Sequence, residues 1–137
     1  MAKKLEIRLI TPNATEQDKY KFHGHGDMAI LRCRTGEMGI LPGRVAISAI
    51  LDEGPLRILD ENEERKIAVL GGVFHFKNDI LTVISQKALL PGEIDITATE
   101  AQASELEARI LQEPSVAEKD KLRQELRRCR ILQTTVA

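Results

Sequence analysis

The chain has 137 residues, 42% of them hydrophobic, and a formal net charge of -1, so no global positive field points to nucleic acid. No apolar run reaches the roughly 18 residues of a membrane-spanning helix, and the stretch Met1 to Ile7 lacks the apolar segment of a secretory signal. Aromatics are limited to Tyr20, Phe22, Phe74 and Phe76, so the core must be built from Ile, Leu and Val.

From Lys4 to about Leu90 the chain reads as short strands. Leu5, Ile7 and Leu9 alternate with Glu6 and Arg8, the period of a half-buried strand. Tyr20 and Phe22 alternate with Lys19, Lys21 and His23, and Met28 to Cys33 forms a further apolar run. Gly36 to Gly43 predicts a strand with a tight turn at each end, because glycine supplies positive φ or close backbone approach. Val45, Ile47, Ala49 and Leu51 alternate again. Leu56–Leu59 and Lys66–Val69 flank the polar stretch Asp60 to Arg65, which predicts a hairpin loop. Phe74–Lys77 and Ile80–Ile84 flank Asn78-Asp79, a two-residue turn. This pattern predicts an antiparallel sandwich or barrel, with no alternating helices to support a parallel sheet.

After Pro91-Gly92 the pattern becomes helical. Thr97 with Glu100 fits a capping box, and Asp95 is a second candidate cap. Ala98, Ala101, Leu106, Ile110 and Leu111 approximate one helical stripe; Glu113-Pro114 ends it, because the residue before proline avoids the α region. Ser115 with Glu118 fits another box, followed by a stripe of Leu122, Leu126 and Cys129. The reading is α+β: an N-terminal antiparallel β-sandwich over residues 1–90, then a C-terminal α-helical hairpin over 91–137. The first helix is mainly acidic and the second mainly basic, so opposite charge can close the hairpin, or the basic helix can seek an acidic surface elsewhere.

Catalytic motifs are missing. There is no Gly-x-Ser-x-Gly, Walker A or His-Glu-x-x-His, and Ser48, Ser85, Ser104 and Ser115 have no evident His and Asp arrangement. His23 and His25, with Cys33 or His75, invite a metal reading, but a compact metal site offers four ligands at recognisable spacing; two solvated histidines fit better. Cys33 and Cys129 read as two reduced thiols. The sequence therefore predicts no enzyme, no metal and no required cofactor. A β-sandwich binding module whose helices self-associate is the alternative.

The segment Gly36-Glu37-Met38-Gly39-Ile40-Leu41-Pro42-Gly43 resembles the Gly-x-x-Gly-Ile-Leu-Pro-Gly element of the bacterial F-type ATP synthase epsilon-subunit family. Leu5 to Pro12, Ile67 to Phe74, Asp79 to Ile84, Glu93 to Asp95 and Leu126 to Thr134 are similar to further segments of that family, in order along nearly the whole chain. The resemblance implies a non-catalytic component of the central rotor, bound to the gamma subunit and the c-ring, peripheral to the cytoplasmic side of the membrane. It implies partner contacts at Glu37, Gly39, Pro42 and Arg44, the last standing where the family usually has His. It also implies a hairpin that can extend into the alpha/beta catalytic head and inhibit ATP hydrolysis, here through the basic residues Arg123, Arg127, Arg128 and Arg130. Some members bind ATP at an Ile/Leu-Asp-x-x-Arg-Ala motif. The matching stretch keeps Asp95 but has Ala98 in place of Arg, so weak or absent ATP binding is expected.

Overall fold

The computed structural model describes residues 3–12, 17 and 19–136; the outer bounds expected at residues 1 and 137 lie outside them. Among the described residues eight strands precede two helices: β1 (Leu5–Ile10), β2 (Phe22–Gly26), β3 (Met28–Cys33), β4 (Gly36–Ile40), β5 (Ile47–Asp60), β6 (Glu63–Lys77), β7 (Ile80–Ile84), β8 (Ala88–Leu89), a 3-10 turn at Pro91–Glu93, α1 (Ile96–Gln112) and α2 (Val116–Val136). The ladder runs β2-β1-β7-β6-β5-β3-β4, with β8 against β6.

The long strands β5 and β6 join the two layers. Their Ile47–Leu51 and Gly72–Phe76 halves pair with one another and lead through β7 to β1 and β2; their other halves pair at the Asp60–Glu63 end and lead to β3 and β4. Between the layers lies a core of Leu5, Ile7, Leu9, Leu31, Ile40, Leu56, Ile58, Ile67, Phe74, Phe76, Leu81 and Val83, all 2% exposed or less. The period-2 strands thus place their apolar phase inward as expected.

Several details depart from the sequence reading. Val45 to Leu51 and Leu56 to Leu59 do not form separate strands; Ile47–Asp60 is continuous, and Val45 lies before it, 80% exposed. The loop between β5 and β6 shrinks to Glu61-Asn62, whose φ of 49° and 69° belong to a two-residue hairpin turn. The Arg57–Glu64 ion pair straddles the flanking ladder, so residues with polar side chains still extend both strands. One pairing, β1 with β7, is parallel. Alternation shows which face a residue takes, not the direction of its neighbour, so this pair was invisible in the pattern.

The helices carry their own small core of Ala103, Leu106, Leu122, Leu126 and Cys129, packed with Ile110, separate from the sandwich core. The second stripe is as expected. The first is shifted: Thr99, Ala103 and Leu106 are buried, whereas Ala98 and Ala101 are exposed and Leu111 is 85% exposed. Asp95, not Thr97, caps α1, its carboxylate accepting from the Ala98 N–H at 3.1 Å. At α2, Ser115 Oγ accepts from the Glu118 N–H at 3.5 Å, but the reciprocal arm comes from Glu113, which accepts from the Ser115 N–H. Burial pushes the Cys33 and Cys129 thiols above their ordinary range.

The link between the two parts is tied down by Lys21 and Glu93, 2.6 Å apart. The Lys21 ammonium, and then the Leu90 N–H, hold the Glu93 carboxyl below the usual glutamate range. A depressed folded pKa contributes stability that is present above the unfolded value, about 4.3, and is lost as pH falls through the folded one. Glu93→Gln should therefore melt below wild type at neutral pH, with the gap between the two melting curves closing as pH falls below about 4.3. A constant gap down to strong acid in a pH series of thermal melts would contradict this.

Candidate interaction surfaces

Leu41, Pro42, Gly43 and Arg44 form a turn at one end of the sandwich. The Arg44 N–H donates to the Leu41 carbonyl at 3.4 Å, and Gly43 has φ of 86°, so Pro at the second position and Gly at the third give a type II turn. Gly36, at the start of β4, has φ of 123°, which sets the other tight turn. Arg44 Nη1 reaches the Gly39 carbonyl at 3.5 Å, and the Gly43 N–H donates to Asp79 Oδ1 at 2.7 Å. Leu41 and Val45 project here, 55% and 80% exposed. The structure thus gathers Gly39, Pro42 and Arg44. Glu37 stands across from Arg32 on β3, and lines a cavity of about 440 Å³ shared with Arg127 and Arg130 of α2.

A second surface was missed by the sequence reading. On the outer face of one layer, register aligns Ile84 with Val73 and Val73 with Ile50, and Ile10 lies beside Ile84. Ile84, Val73 and Ile50 are 49%, 46% and 54% exposed. Strands lie about 4.8 Å apart, so these four residues draw an apolar row about 14 Å long across the sheet. Beside it runs a polar row, His23–Arg8–Thr82–His75–Ser48, in which Ser48 Oγ and His75 Nδ1 are 2.7 Å apart. The signal was present: Ile50, Val73 and Ile84 are apolar residues on the phase of their strands that faces away from the core.

The histidines are not arranged around an ion. His23 Nε2 contacts Glu6 Oε1 at 3.0 Å, His25 lies 6.4 Å from His23 between ring centroids, His75 holds Ser48, and Cys33 is in the core. Among the described residues no group of three or more His, Cys, Asp or Glu side chains could hold a metal.

Two basic residues of α2, Arg128 and Arg130, are tied to other elements when the hairpin is folded, whereas the partner of Arg123 lies on α2 itself. Arg128 pairs with Glu53 of β5 at 2.8 Å, Arg130 with Glu107 of α1 at 3.1 Å and Arg123 with Asp120 at 3.6 Å. Glu53 is the distinctive partner: its side chain is 13% exposed, and its Oε2 is buried without a hydrogen bond. The Arg130 and Arg123 pairs are solvated and contribute at most about 1 kcal/mol each. Asp95 spends its carboxylate on the helix cap, and Ala98 offers only a methyl group beside it.

The family model for the ATP synthase Delta/Epsilon chain beta-sandwich domain matches residues 4–91. An ATP synthase epsilon chain from Synechococcus sp. (strain CC9311) is 35% identical over 129 residues, covering 92% of each chain. The chain belongs to the ATP synthase epsilon family. The epsilon chain of Brevibacillus brevis is 32% identical over 108 residues and covers 78% of each chain. The fold also resembles a chain of the Euglena gracilis mitochondrial ATP synthase OSCP/F1/c-ring assembly, with a TM-score of 0.74 at 22% identity over 96% of this chain and 82% of that one. A chain of the Tetrahymena thermophila central stalk/c-ring structure gives a TM-score of 0.58 at 15% identity, covering 99% and 98%. As a member of the epsilon family the chain is a peripheral, non-catalytic component of ATP synthase. No described helix is long and apolar enough to cross a membrane.

Proposed function

We propose that the chain is a central-stalk element that couples ion flow through a c-ring to ATP synthesis, with the apolar row of the sandwich docked on a gamma-type shaft. The row Ile10–Ile84–Val73–Ile50, exposed at Ile84, Val73 and Ile50, carries this reading, because such an apolar face on a small domain is suited to a permanent partner. The turn bearing Gly39, Pro42 and Arg44 meets the c-ring loops, and Glu37 contributes from the adjoining strand. The complex lies on the cytoplasmic side of the membrane. The helical hairpin is a regulatory segment: when it extends, Arg128 and Arg130 give up Glu53 and Glu107, and Arg123, Arg127, Arg128 and Arg130 meet acidic groups of the alpha/beta head. The separate hairpin core supports this, since the helices can leave the sheet without dismantling the sandwich.

The deciding experiment titrates a catalytic core lacking this subunit with the full chain and with a version ending at Gly92. Both should bind, and only the full chain should slow ATP hydrolysis. Binding by neither would remove the rotor assignment; equal inhibition by both would remove the regulatory role of the helices.

The same reading includes weak or absent ATP binding. Ala98 supplies no charge-assisted donor for phosphate, and Asp95 is engaged at the α1 cap. Calorimetric titration of the full chain should show no saturation at micromolar ATP. Tight, stoichiometric binding would contradict it.

A further inference from the structure

The Leu41–Arg44 turn owes its conformation to a residue remote in sequence. Type I and type II turns differ by a flip of the central peptide, here the one joining Pro42 and Gly43. The Gly43 N–H borne by that peptide is not used by the turn's own hydrogen bond, which runs from Arg44 N–H to the Leu41 carbonyl. It is satisfied instead by Asp79 Oδ1 at 2.7 Å, a charge-assisted bond. Space does not select the glycine, because an added Cβ at Gly43 meets nothing within 4 Å; the backbone angle does.

Asp79 is itself tightly placed. It occupies the two-residue turn between β6 and β7 with φ of 61°, and its carbonyl accepts from the Glu6 N–H at the start of β1, at 2.9 Å. Its carboxylate is therefore presented from a corner where two ladders of the sandwich meet. Flipping the Pro42–Gly43 peptide would turn the N–H away from that carboxylate and leave a carbonyl oxygen facing it. The flip would leave Leu41 and Arg44 at the corners of the turn but exchange the polar group that its crown presents on the side away from Asp79, the Pro42 carbonyl for the Gly43 N–H.

We propose that Asp79 is the positioning residue of the Leu41–Arg44 turn, fixing the orientation of its central peptide and so the polar group, the Pro42 carbonyl, that the crown of the turn presents to a partner. The proposal rests on the c-ring contact assigned above. Two substitutions separate the role of Asp79 as an acceptor from its role in the hairpin. An Asn-Gly pair suits a two-residue hairpin turn even better than Asn78-Asp79 does, so Asp79→Gly keeps the fold while deleting the acceptor. Asp79→Asn tolerates the same backbone angle and keeps an acceptor oxygen.

The test uses the full chain with two readouts. Amide exchange at Gly43 should be about ten- to a hundredfold faster in Asp79→Gly than in wild type, and largely restored in Asp79→Asn. Each chain is then returned to membrane-bound enzyme lacking this subunit, and ion pumping per ATP hydrolysed is measured. Asp79→Gly should lower that ratio about twofold or more, with Asp79→Asn close to wild type and thermal stability unchanged or higher in Asp79→Gly. Unaltered Gly43 exchange, or unaltered pumping by both variants, overturns the proposal while leaving the rotor assignment standing. A wild-type chain that restores no pumping removes that assignment and the proposal with it.

Discussion

Gly72→Ala should lower the stability of the sandwich by about 3–5 kcal/mol, a large share of the roughly 5–15 kcal/mol that holds a typical domain folded. Gly72 has φ of 127°, a region essentially closed to residues with a side chain. A Cβ there would run into the Ile84 carbonyl oxygen and lie 2.9 Å from Ser85 Cα, and backbone cannot swing aside as a flexible side chain can. Its neighbour Gly71 is the control. It has φ of 84° and open space around its missing Cβ, so Gly71→Ala meets only the conformational cost of about 1–2 kcal/mol. Urea unfolding of both variants followed by circular dichroism checks the contrast. Equal losses would mean that close approach to β7 does not decide the cost at Gly72.

Phe76→Ala should cost about 3–5 kcal/mol and weaken protection throughout the sandwich, whereas Leu126→Ala, costing about 2–4 kcal/mol, should loosen the helices alone. Phe76 is fully buried among residues of both layers, so its removal leaves a cavity that two sheets must share. Leu126 is 9% exposed and belongs to the small helical cluster, which is separate from the sandwich core. Native-state hydrogen exchange distinguishes the two. In Leu126→Ala the amides of α1 and α2 should exchange faster while those of β1, β6 and β7 keep wild-type protection. A uniform loss across both parts would show one cooperative unit and would remove the basis for a detachable hairpin.

The inward faces of the strands were legible in the sequence because alternation encodes burial directly: Leu5, Ile7 and Leu9 are buried, and so are Phe74, Phe76, Leu81 and Val83. The turns at Asn78-Asp79 and around Gly43 were legible because backbone angle restricts residue type. What the pattern concealed was long-range. The corner at Gly71-Gly72 lets β6 cross from one layer to the other, and periodicity treats such a corner as a break. The first helix misled because Ala98 and Ala101 carry little burial preference, whereas the buried positions are Thr99 and another alanine, Ala103. Of the surfaces, the Gly39–Arg44 turn was visible in its glycine and proline spacing. The Arg128–Glu53 bond, which joins residues 75 apart, and the apolar row, which is assembled from four strands, exist only after folding.

The parallel ladder between β1 and β7 also orders events during synthesis. Ile7 pairs with Leu81, so the first strand waits for a partner that leaves the ribosome 74 residues later, about 4–15 s at ordinary rates of translation. Until then β1 has only β2 beside it, and a two-stranded ribbon is marginal in water. Leu5, Ile7 and Leu9 spend that interval uncovered on a strand with one unpaired edge. An unpaired strand edge is a template for pairing with another chain, and the arrival of β7 is what covers this one.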